Sequence, residues 1–295
     1  MEVRTIDYVV PMVFHDDELW RADFAKTNRE YNEDNLCDFV RFRSWSTEHL
    51  LIRCVKKYMP FVRNIYVLLA RESQKQAWMD EEGIVVVYHR EFIPDKFLPT
   101  FNSCAIEMFL HRIPGLSERF IYGNDDMFPL GMLSEQDFFE GNIPCQHHGE
   151  KPFPEKPNIF HLSCLSGVNF VAKEFGKKYT ATLLKGGHGL TPMLKSTWEY
   201  LWKRGGSEIE ASVSAFREPR NFNQWICPWW HHHAGNYINR TPKCVYVSTK
   251  NSVEEVVKAI SDKDAGIVCV NDNEIVKDYM IYGNAVIAEI EKKLK

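Results

Sequence analysis

The segment RFIYGNDD, at residues 119–126, places a short apolar run directly before two adjacent carboxylates, Asp125 and Asp126. Such a run is typical of a buried strand. In parallel α/β sheets, ligands bind beyond the carboxyl ends of the strands. We therefore expect the acidic pair at a ligand-binding end of a sheet, where one or two carboxylates hold Mg²⁺ against a diphosphate. The alternative is a turn or a helix cap, in which Asn and Asp are also frequent.

Apolar runs and helical patterns alternate on both sides of this segment. Strands are predicted at residues 6–13, 62–70, 84–88, 119–122 and 267–270, and helices at residues 45–58, 103–112, 190–204, 221–233, 253–260 and 285–294. Strands that alternate with helices predict a mainly parallel α/β sheet. Residues 131–156 are rich in Pro, Gly and His, which favours a long loop or lid.

The composition is that of a globular protein, with 44% hydrophobic and 26% charged residues in a chain of 295. That length allows one large domain or two small ones. The net charge of -4 gives no electrostatic basis for binding nucleic acid. No membrane span or signal peptide is predicted. The eight cysteines form no C-x-x-C pair, which argues against structural zinc. Without an export signal, reduced thiols in the cytoplasm are expected.

Four further side chains have types suited to phosphate chemistry. Arg53 lies in an apolar helix, where it pairs with phosphate or extends outward to solvent. Asn102 either caps a helix or binds a ligand. His188 lies among glycines and is a candidate general base. Arg217 either grips phosphate oxygens or makes a surface ion pair. The histidines at 231–233 are not predicted to bind metal, because successive helical residues diverge by about 100°.

Several motifs together resemble the Stealth family of sugar-phosphate transferases. The most specific matches are FRSWSTEHLLIRCVKKYMPFVRNIYVL (residues 42–68) and LPTFNSCAIEMFLHRIPGLSERFIYGNDDMF (98–128). Shorter matches are HGLTPMLKSTWEYLW (188–202), SVSAFREPRNFNQW (212–225) and IVCVNDN (267–273). The resemblance extends from residue 6 to about residue 272. A chance match would not reproduce this number of motifs in the same order.

The first family block departs from the usual pattern. It reads IDYVVPMVFHDDELW at residues 6–20, and the positions that keep the family frame are Ile6, Asp7, Val13, Asp17 and Trp20. Phe14 and His15 stand where the family has Asp–Gly, which leaves the nucleotide preference open. Asn221 stands where the family has an acid. Because the acidic pair, His188 and Arg217 are all present, we expect a divergent subgroup that keeps its activity.

The resemblance implies a GT-A-like nucleotide-sugar transferase fold, with a mainly parallel central sheet and a helical lobe on the acceptor side. It implies a single catalytic domain over residues 1–295. Residues 1–130 would form the nucleotide-sugar and metal-binding core, residues 131–250 the lid and helical lobe, and residues 251–295 the C-terminal closing segment.

The resemblance also implies a reaction. Sugar-1-phosphate would pass from a nucleotide-sugar, such as a UDP-linked hexose or N-acetylhexosamine, to a hydroxyl of a glycan or lipid-linked sugar, with release of nucleoside monophosphate. A metal-dependent glycosyltransferase that releases nucleoside diphosphate is one alternative. A sugar-binding protein without catalysis is another.

The roles implied for single residues complete this hypothesis. Mg²⁺ or Mn²⁺ would be held by Asp125, Asp126 and Asp272. His188, Arg217 and Asp126 would be catalytic, with His188 as base and Arg217 on the phosphate. The donor would be contacted by Asp7, Asp17, Arg53, Asn102 and Asn124. The enzyme would be cytoplasmic. Lys292, Lys293 and Lys295 would either touch anionic lipid at the inner face of the membrane or form a solvated terminus. No oligomeric state is predicted.

Overall fold

A computed structural model describes residues 5–28, 42–186, 189–272 and 279–295 of the chain. The strands are β1 (Ile6–Pro11), β2 (Val62–Leu69), β3 (Ile84–Tyr88), β4 (Arg119–Tyr122), β5 (Met127–Pro129), β6 (Phe139–Glu140), β7 (Ile143–Gln146), β8 (His148–Pro152), β9 (Thr182–Gly186), β10 (Thr191–Leu194), β11 (Ile238–Asn239), β12 (Cys244–Ser248) and β13 (Ile267–Asn271). The helices are α1 (Glu18–Asn28), α2 (Glu48–Tyr58), α3 (Ser103–Glu107), α4 (Ile159–Ala172), α5 (Lys195–Ser212), α6 (Ile226–Ala234), α7 (Val253–Ser261) and α8 (Tyr279–Leu294).

Five strands form the central sheet, in the order β10–β4–β1–β2–β3. β1 pairs in parallel with β2 and β4, and β2 pairs in parallel with β3. β10 runs antiparallel to β4. The predicted α/β class with a mainly parallel sheet is therefore confirmed. Since β1 to β4 all end on the same side, their carboxyl ends form one end of the sheet, called the carboxyl end below.

Helices cover both faces of this sheet. One face packs in a core with α2, α7 and α8, which includes Leu51, Ile260 and Val286. The other face packs in a core with α3 to α6, which includes Ile106 and Trp198. β1 contributes to both cores, and burial on two sides explains why its sequence is a continuous apolar run rather than an alternation. No helix in the described ranges is both long enough and apolar enough to cross a membrane.

Several predicted elements differ in type or extent in the structure. The helix predicted at 221–233 begins only at Ile226, and the helix predicted at 285–294 begins earlier, at Tyr279. The stretch predicted as a loop, residues 131–156, contains the short strands β6, β7 and β8, and β8 pairs antiparallel with β9 across the intervening helix α4. The helix predicted from residue 190 begins only at Lys195, because residues 191–194 pair with β4 as β10. Pro192 fits there, since an edge strand tolerates a residue without an N–H. The helix predicted at 103–112 ends at Glu107, and a 3₁₀ turn follows at Leu110–Arg112.

A second sheet meets the first immediately after the acidic pair. It has three strands in the order β12–β13–β5. β5 pairs antiparallel with β13, and Val270 N–H donates to the Asp126 carbonyl at 2.9 Å. The chain therefore leaves the central sheet at Tyr122 and enters the second sheet at Met127. Residues 123–126 form the junction between the two sheets.

Candidate active site

The acidic pair lies at the carboxyl end of β4, as its sequence predicts. Asp126 is held by β13: its Oδ2 accepts hydrogen bonds from Asn271 Nδ2 at 2.7 Å and from Cys269 Sγ at 3.3 Å. Asp126 Oδ1 is buried and has no hydrogen-bond partner among the described residues. Buried polar atoms are nearly always satisfied, so this oxygen indicates a site for a ligand, an ion or a water molecule.

A third carboxylate, Glu48, lies close to the pair. Burial, together with the negative charges of Asp126 and Glu48, raises the pKa of Asp125 to about 8. Glu48 is the first residue of α2 and is only 5% exposed, and burial also raises its pKa. Sequence reasoning missed Glu48, because an acid in the first turn of a helix is an ordinary partner of the helix dipole. Its helical spacing from the apolar Leu51 and Ile52 was the available signal of burial.

The turn between β4 and the acidic pair requires a glycine. A Cβ built on Gly123 would overlap the Tyr8 hydroxyl and the Leu190 side chain. The Tyr8 hydroxyl is itself buried, without a partner in the described part of the chain. Burial raises its pKa, and the charges of Asp126 and Asp125 raise it further. Tyr8 therefore lies next to the pair, and the backbone at Gly123 passes directly over its hydroxyl.

Asp272 is engaged by an arginine. Arg43 Nε donates to Asp272 Oδ2 at 2.5 Å, and Arg43 Nη2 donates to Asp272 Oδ1 at 2.6 Å. The guanidinium also stacks 4.1 Å from the centre of the Tyr279 ring, at the start of α8. This bidentate pair engages both carboxylate oxygens, so Asp272 has a protein partner in this structure, and its expected role as a metal ligand stays a prediction.

A divalent cation fits the acidic pair. Mg²⁺ prefers oxygen ligands and uses only one or two protein carboxylates, with phosphate and water as the others. Asp126 Oδ1 is such an oxygen, and Asp125 lies beside it. Within residues 5–28, 42–186, 189–272 and 279–295, no three His, Cys, Asp or Glu side chains converge as a metal cluster. At this end of the sheet, the described protein ligands of those types for a cation are therefore Asp125 and Asp126.

Asp7 lies towards the amino-terminal end of the sheet, and its expected contact with the donor stays a prediction. It belongs to the amino-terminal half of β1 and is fully buried. Arg63 donates to it through Nε at 2.9 Å and through Nη2 at 2.7 Å. The backbone N–H groups of Ser117 and Asn64 donate at 2.7 Å and 3.3 Å. With these bonds Asp7 ties together the starts of β1, β2 and β4, which is a structural role.

Two other expected donor contacts also have local structural explanations. Asp17 Oδ1 accepts from Trp20 N–H at 2.6 Å, so Asp17 caps the start of α1. Arg53 is exposed on α2, on the same solvent face as Lys56 and Lys57. Asn124 does lie beside the acidic pair, where its carbonyl accepts from Met127 N–H at 3.2 Å.

Asn102 is a helix cap, so that alternative is confirmed. Its Oδ1 accepts from Cys104 N–H at 3.1 Å, and the side chain is fully buried. Its Nδ2 donates to the carbonyls of Ser214 and Phe216 and to Asn221 Oδ1, at 3.0 to 3.1 Å. Both ends of the Asn102 amide thus have protein partners, and its expected contact with the donor stays a prediction. The same bonds give Asn221 a structural role as the partner that joins two loops.

Arg217 is brought near this network. Its side chain is exposed, and its Nη2 donates to Ser103 Oγ at 2.8 Å. Close by, burial raises the pKa of Glu107 to about 7, while Gln224 N–H and the Arg217 charge oppose that rise. Glu107 also accepts from Tyr122 OH at 3.2 Å. Since Tyr122 is the last residue of β4, this chain of contacts links Arg217 to the strand that carries the acidic pair.

His188 lies outside the described residues. The chain that follows it is described: Leu190 packs against the site of Gly123, and Thr191 pairs with Tyr122. Because β10 is antiparallel to β4, β10 begins at the carboxyl end of the sheet. The residue expected to act as base thus stays a prediction from its motif.

A mainly parallel sheet covered by helices, with a carboxylate pair where β4 ends, defines an α/β protein with a GT-A-like fold. The model of "Stealth protein CR2, conserved region 2" matches residues 41–146. A receptor polysaccharide phosphotransferase of Streptococcus gordonii is 30% identical over 94% of this chain and 92% of its own. A capsular polysaccharide phosphotransferase of Actinobacillus pleuropneumoniae is 30% identical over 90% of this chain and 76% of its own. One from Streptococcus pneumoniae is 27% identical over 99% and 96%.

These similarities show that the chain belongs to the Stealth family, as its motifs predict. It is a phosphotransferase of the Stealth type. The region matched by the family model contains β4, the acidic pair, Glu48 and Arg43.

Proposed function

We propose that the protein transfers sugar-1-phosphate from a nucleotide-sugar to a hydroxyl of a glycan acceptor, and releases nucleoside monophosphate. The observation that carries this proposal is the acidic pair at the carboxyl end of β4, with Asp126 Oδ1 buried and unpartnered among the described residues. The phosphotransferase names of the relatives agree with it. The donor is proposed to be UDP-linked, with a hexose or N-acetylhexosamine.

In this reaction the acceptor hydroxyl oxygen bonds to the β-phosphorus of the donor. The bond between that phosphorus and the oxygen bridging to the α-phosphate breaks, and nucleoside monophosphate leaves with the bond electrons. The hydroxyl proton passes to a base, for which His188 is proposed from its motif. The product is a phosphodiester between two sugars. Such transfers depend on positioning and on neutralising charge rather than on covalent catalysis.

The described residues supply positioning. Asn271 and Cys269 orient the Asp126 carboxylate through Oδ2, which would leave Oδ1 for the ligand. Asp125 and Asp126 would hold Mg²⁺ or Mn²⁺, which supplies positive charge to the diphosphate when bound. Ser103 orients Arg217, whose remaining N–H groups are proposed to bind phosphate oxygens as charge shifts to the leaving group.

The proposed location is the cytoplasm. The seven cysteines within the described ranges are all free thiols, which is typical of a reducing compartment. Peripheral contact with the membrane through the C-terminal lysines stays a prediction. Lys292 pairs with Glu289 at 2.7 Å, and Lys293 Nζ donates to the Asp262 carbonyl at 3.0 Å, so both of these ammonium groups already have protein partners.

The test is to identify the released nucleotide. The protein is incubated with Mg²⁺, a panel of nucleotide-sugars and acceptor glycans. We expect nucleoside monophosphate, lost on addition of EDTA and in Asp126→Ala and His188→Ala. Asp80→Ala is the control for Asp126→Ala, because Asp80 is an exposed acid in a surface ion pair. Release of nucleoside diphosphate would contradict the proposal and indicate a glycosyltransferase. Donor binding without turnover across the whole acceptor panel would indicate a binding protein.

A further inference from the structure

A pocket with a volume of about 550 Å³ opens against the loop that leads to Arg217. One wall is the last two turns of α1, with Asp23, Lys26 and Thr27. The facing walls are residues 96–99 and 213–215. The volume is within the range of pockets that bind small molecules or sugar units, about 300–1,000 Å³.

The pocket lies close to Arg217. Ala215, in its wall, is two residues before Arg217, so their Cα atoms are at most about 7 Å apart. The wall is anchored: the Ala215 carbonyl accepts from Phe101 N–H at 2.9 Å, and the Ser214 carbonyl accepts from Asn102 Nδ2 at 3.1 Å. A sugar chain that reaches Arg217 from this side would therefore cross the pocket.

Among the described residues around the pocket, one cation is in excess. Asp23 pairs with Arg71 at 2.6 Å, and Lys96 pairs with Glu210 at 2.6 Å. Lys26 is exposed in the last turn of α1, and no acidic partner for it is present among the described residues. One uncompensated lysine suits a ligand group with one negative charge, such as a phosphodiester.

The remaining lining suits a sugar. The apolar part of the lining consists of Phe97, Leu98, Pro99 and Val213. An aromatic ring and aliphatic groups pack against the C–H face of a sugar ring, while the hydroxyl of Thr27 and the ammonium of Lys26 meet its polar groups. Lys96 can also turn to a ligand, because its pair with Glu210 is exposed at both ends and contributes little.

We infer that this pocket binds the acceptor glycan next to its reacting sugar, and that Lys26 receives a phosphate group which the acceptor already carries. The inference rests on the proposed function. That phosphate has two possible sources of the same chemistry: a phosphodiester between sugars of the acceptor, or the diphosphate of a lipid-linked sugar. The protein therefore prefers acceptors with a phosphate near the reacting end over neutral glycans.

Binding of three probes to the full chain tests this inference by calorimetry. The probes are a disaccharide joined by a phosphodiester, the same disaccharide joined by a glycosidic oxygen, and a hexosyl diphosphate with a short prenyl chain. We expect at least one phosphate-bearing probe to bind about tenfold more tightly than the neutral disaccharide. Lys26→Glu should abolish that preference. Lys258→Ala should keep it, because Lys258 is an exposed lysine in the last turn of α7.

The outcomes separate the two proposals. The phosphate-bearing probe whose affinity depends on Lys26 identifies the source of the phosphate. Thr27→Phe, which fills the pocket from its exposed rim, should weaken all three probes. Equal affinities in wild type and Lys26→Glu, or no binding of any probe at millimolar concentration, would overturn the inference. Transfer activity with an acceptor KM independent of Lys26 would leave the proposed function standing without the pocket. Lys26-dependent binding without transfer would leave the pocket standing without the function.

Discussion

Replacement of Asp7 distinguishes a structural carboxylate from a donor contact. Asp7→Ala removes an acceptor of four hydrogen bonds, two from Arg63 and one each from the N–H groups of Ser117 and Asn64. Hydrogen bonds to a charged group contribute about 1.5–3 kcal/mol each, and a broken buried ion pair costs about 3–5 kcal/mol. Arg63 is 39% exposed, so water compensates part of this loss. We expect the free energy of unfolding to fall by about 3 kcal/mol.

Urea unfolding and donor kinetics together measure this effect. With a slope of about 3 kcal/mol/M, the upper end for small proteins, the urea midpoint should fall by about 1 M. Below the transition, the donor KM and kcat should equal those of the wild type. Asp80→Ala is the matched control, since its ion pair is exposed and its loss should change stability by less than about 1 kcal/mol. A variant with wild-type stability and a donor KM raised about tenfold would refute the structural role and restore Asp7 to the donor site.

Three further predictions concern other parts of the structure. Asp126→Ala should abolish nucleotide release, and Asn271→Ala should lower kcat about 10- to 100-fold by freeing the carboxylate. Both variants should keep a cooperative urea transition, which shows that they are folded. Full activity in Asn271→Ala would contradict the orienting role. Asn102→Ala should lower the free energy of unfolding, measured in urea, by about 2–3 kcal/mol, because a helix cap and three donated hydrogen bonds are lost together. A change below about 0.5 kcal/mol would exclude a structural role for Asn102. Burial lowers the pKa of His148 from 6.5 to about 3 and that of His233 to about 4. The stability that these neutral side chains contribute is therefore complete above pH 6.5 and is lost as the pH falls. The urea midpoint should drop between about pH 7 and pH 5, and it should drop less steeply in His148→Phe.

Local patterns predicted the elements that position the site. The apolar run before Asp125 predicts a strand with the acidic pair at its carboxyl end, and β4 has the predicted bounds. The amphipathic pattern of residues 45–58 predicts α2, which begins at Glu48. These predictions succeeded because the side-chain periods of strands and helices are encoded within a few consecutive residues. Where two local signals competed, as at Thr191–Leu194, pairing with β4 overrode the helical pattern.

Hydrogen-bond partners that lie far apart in the chain could not be predicted from the sequence. Asn271 orients Asp126 from 145 residues away, and Arg43 engages Asp272 from 229 residues away. A single sequence gives no distance between such positions. Asp7 shows the same limit, because its family motif indicates the nucleotide site while its contacts lie at the amino-terminal end of the sheet.

The order of residues alone is enough to predict the α/β class, the strand that precedes the acidic pair and, through its motifs, the Stealth family. Packing of the chain sets which carboxylates remain available to a ligand. It engages Asp7 with Arg63 and Asp272 with Arg43, buries Glu48 beside Asp125, and leaves Asp126 Oδ1 without a partner in the described part of the chain. The physical reason is that the availability of a charged group depends on its solvation and its neighbours, and both are set by chain segments that meet only when the two sheets and their helices pack together.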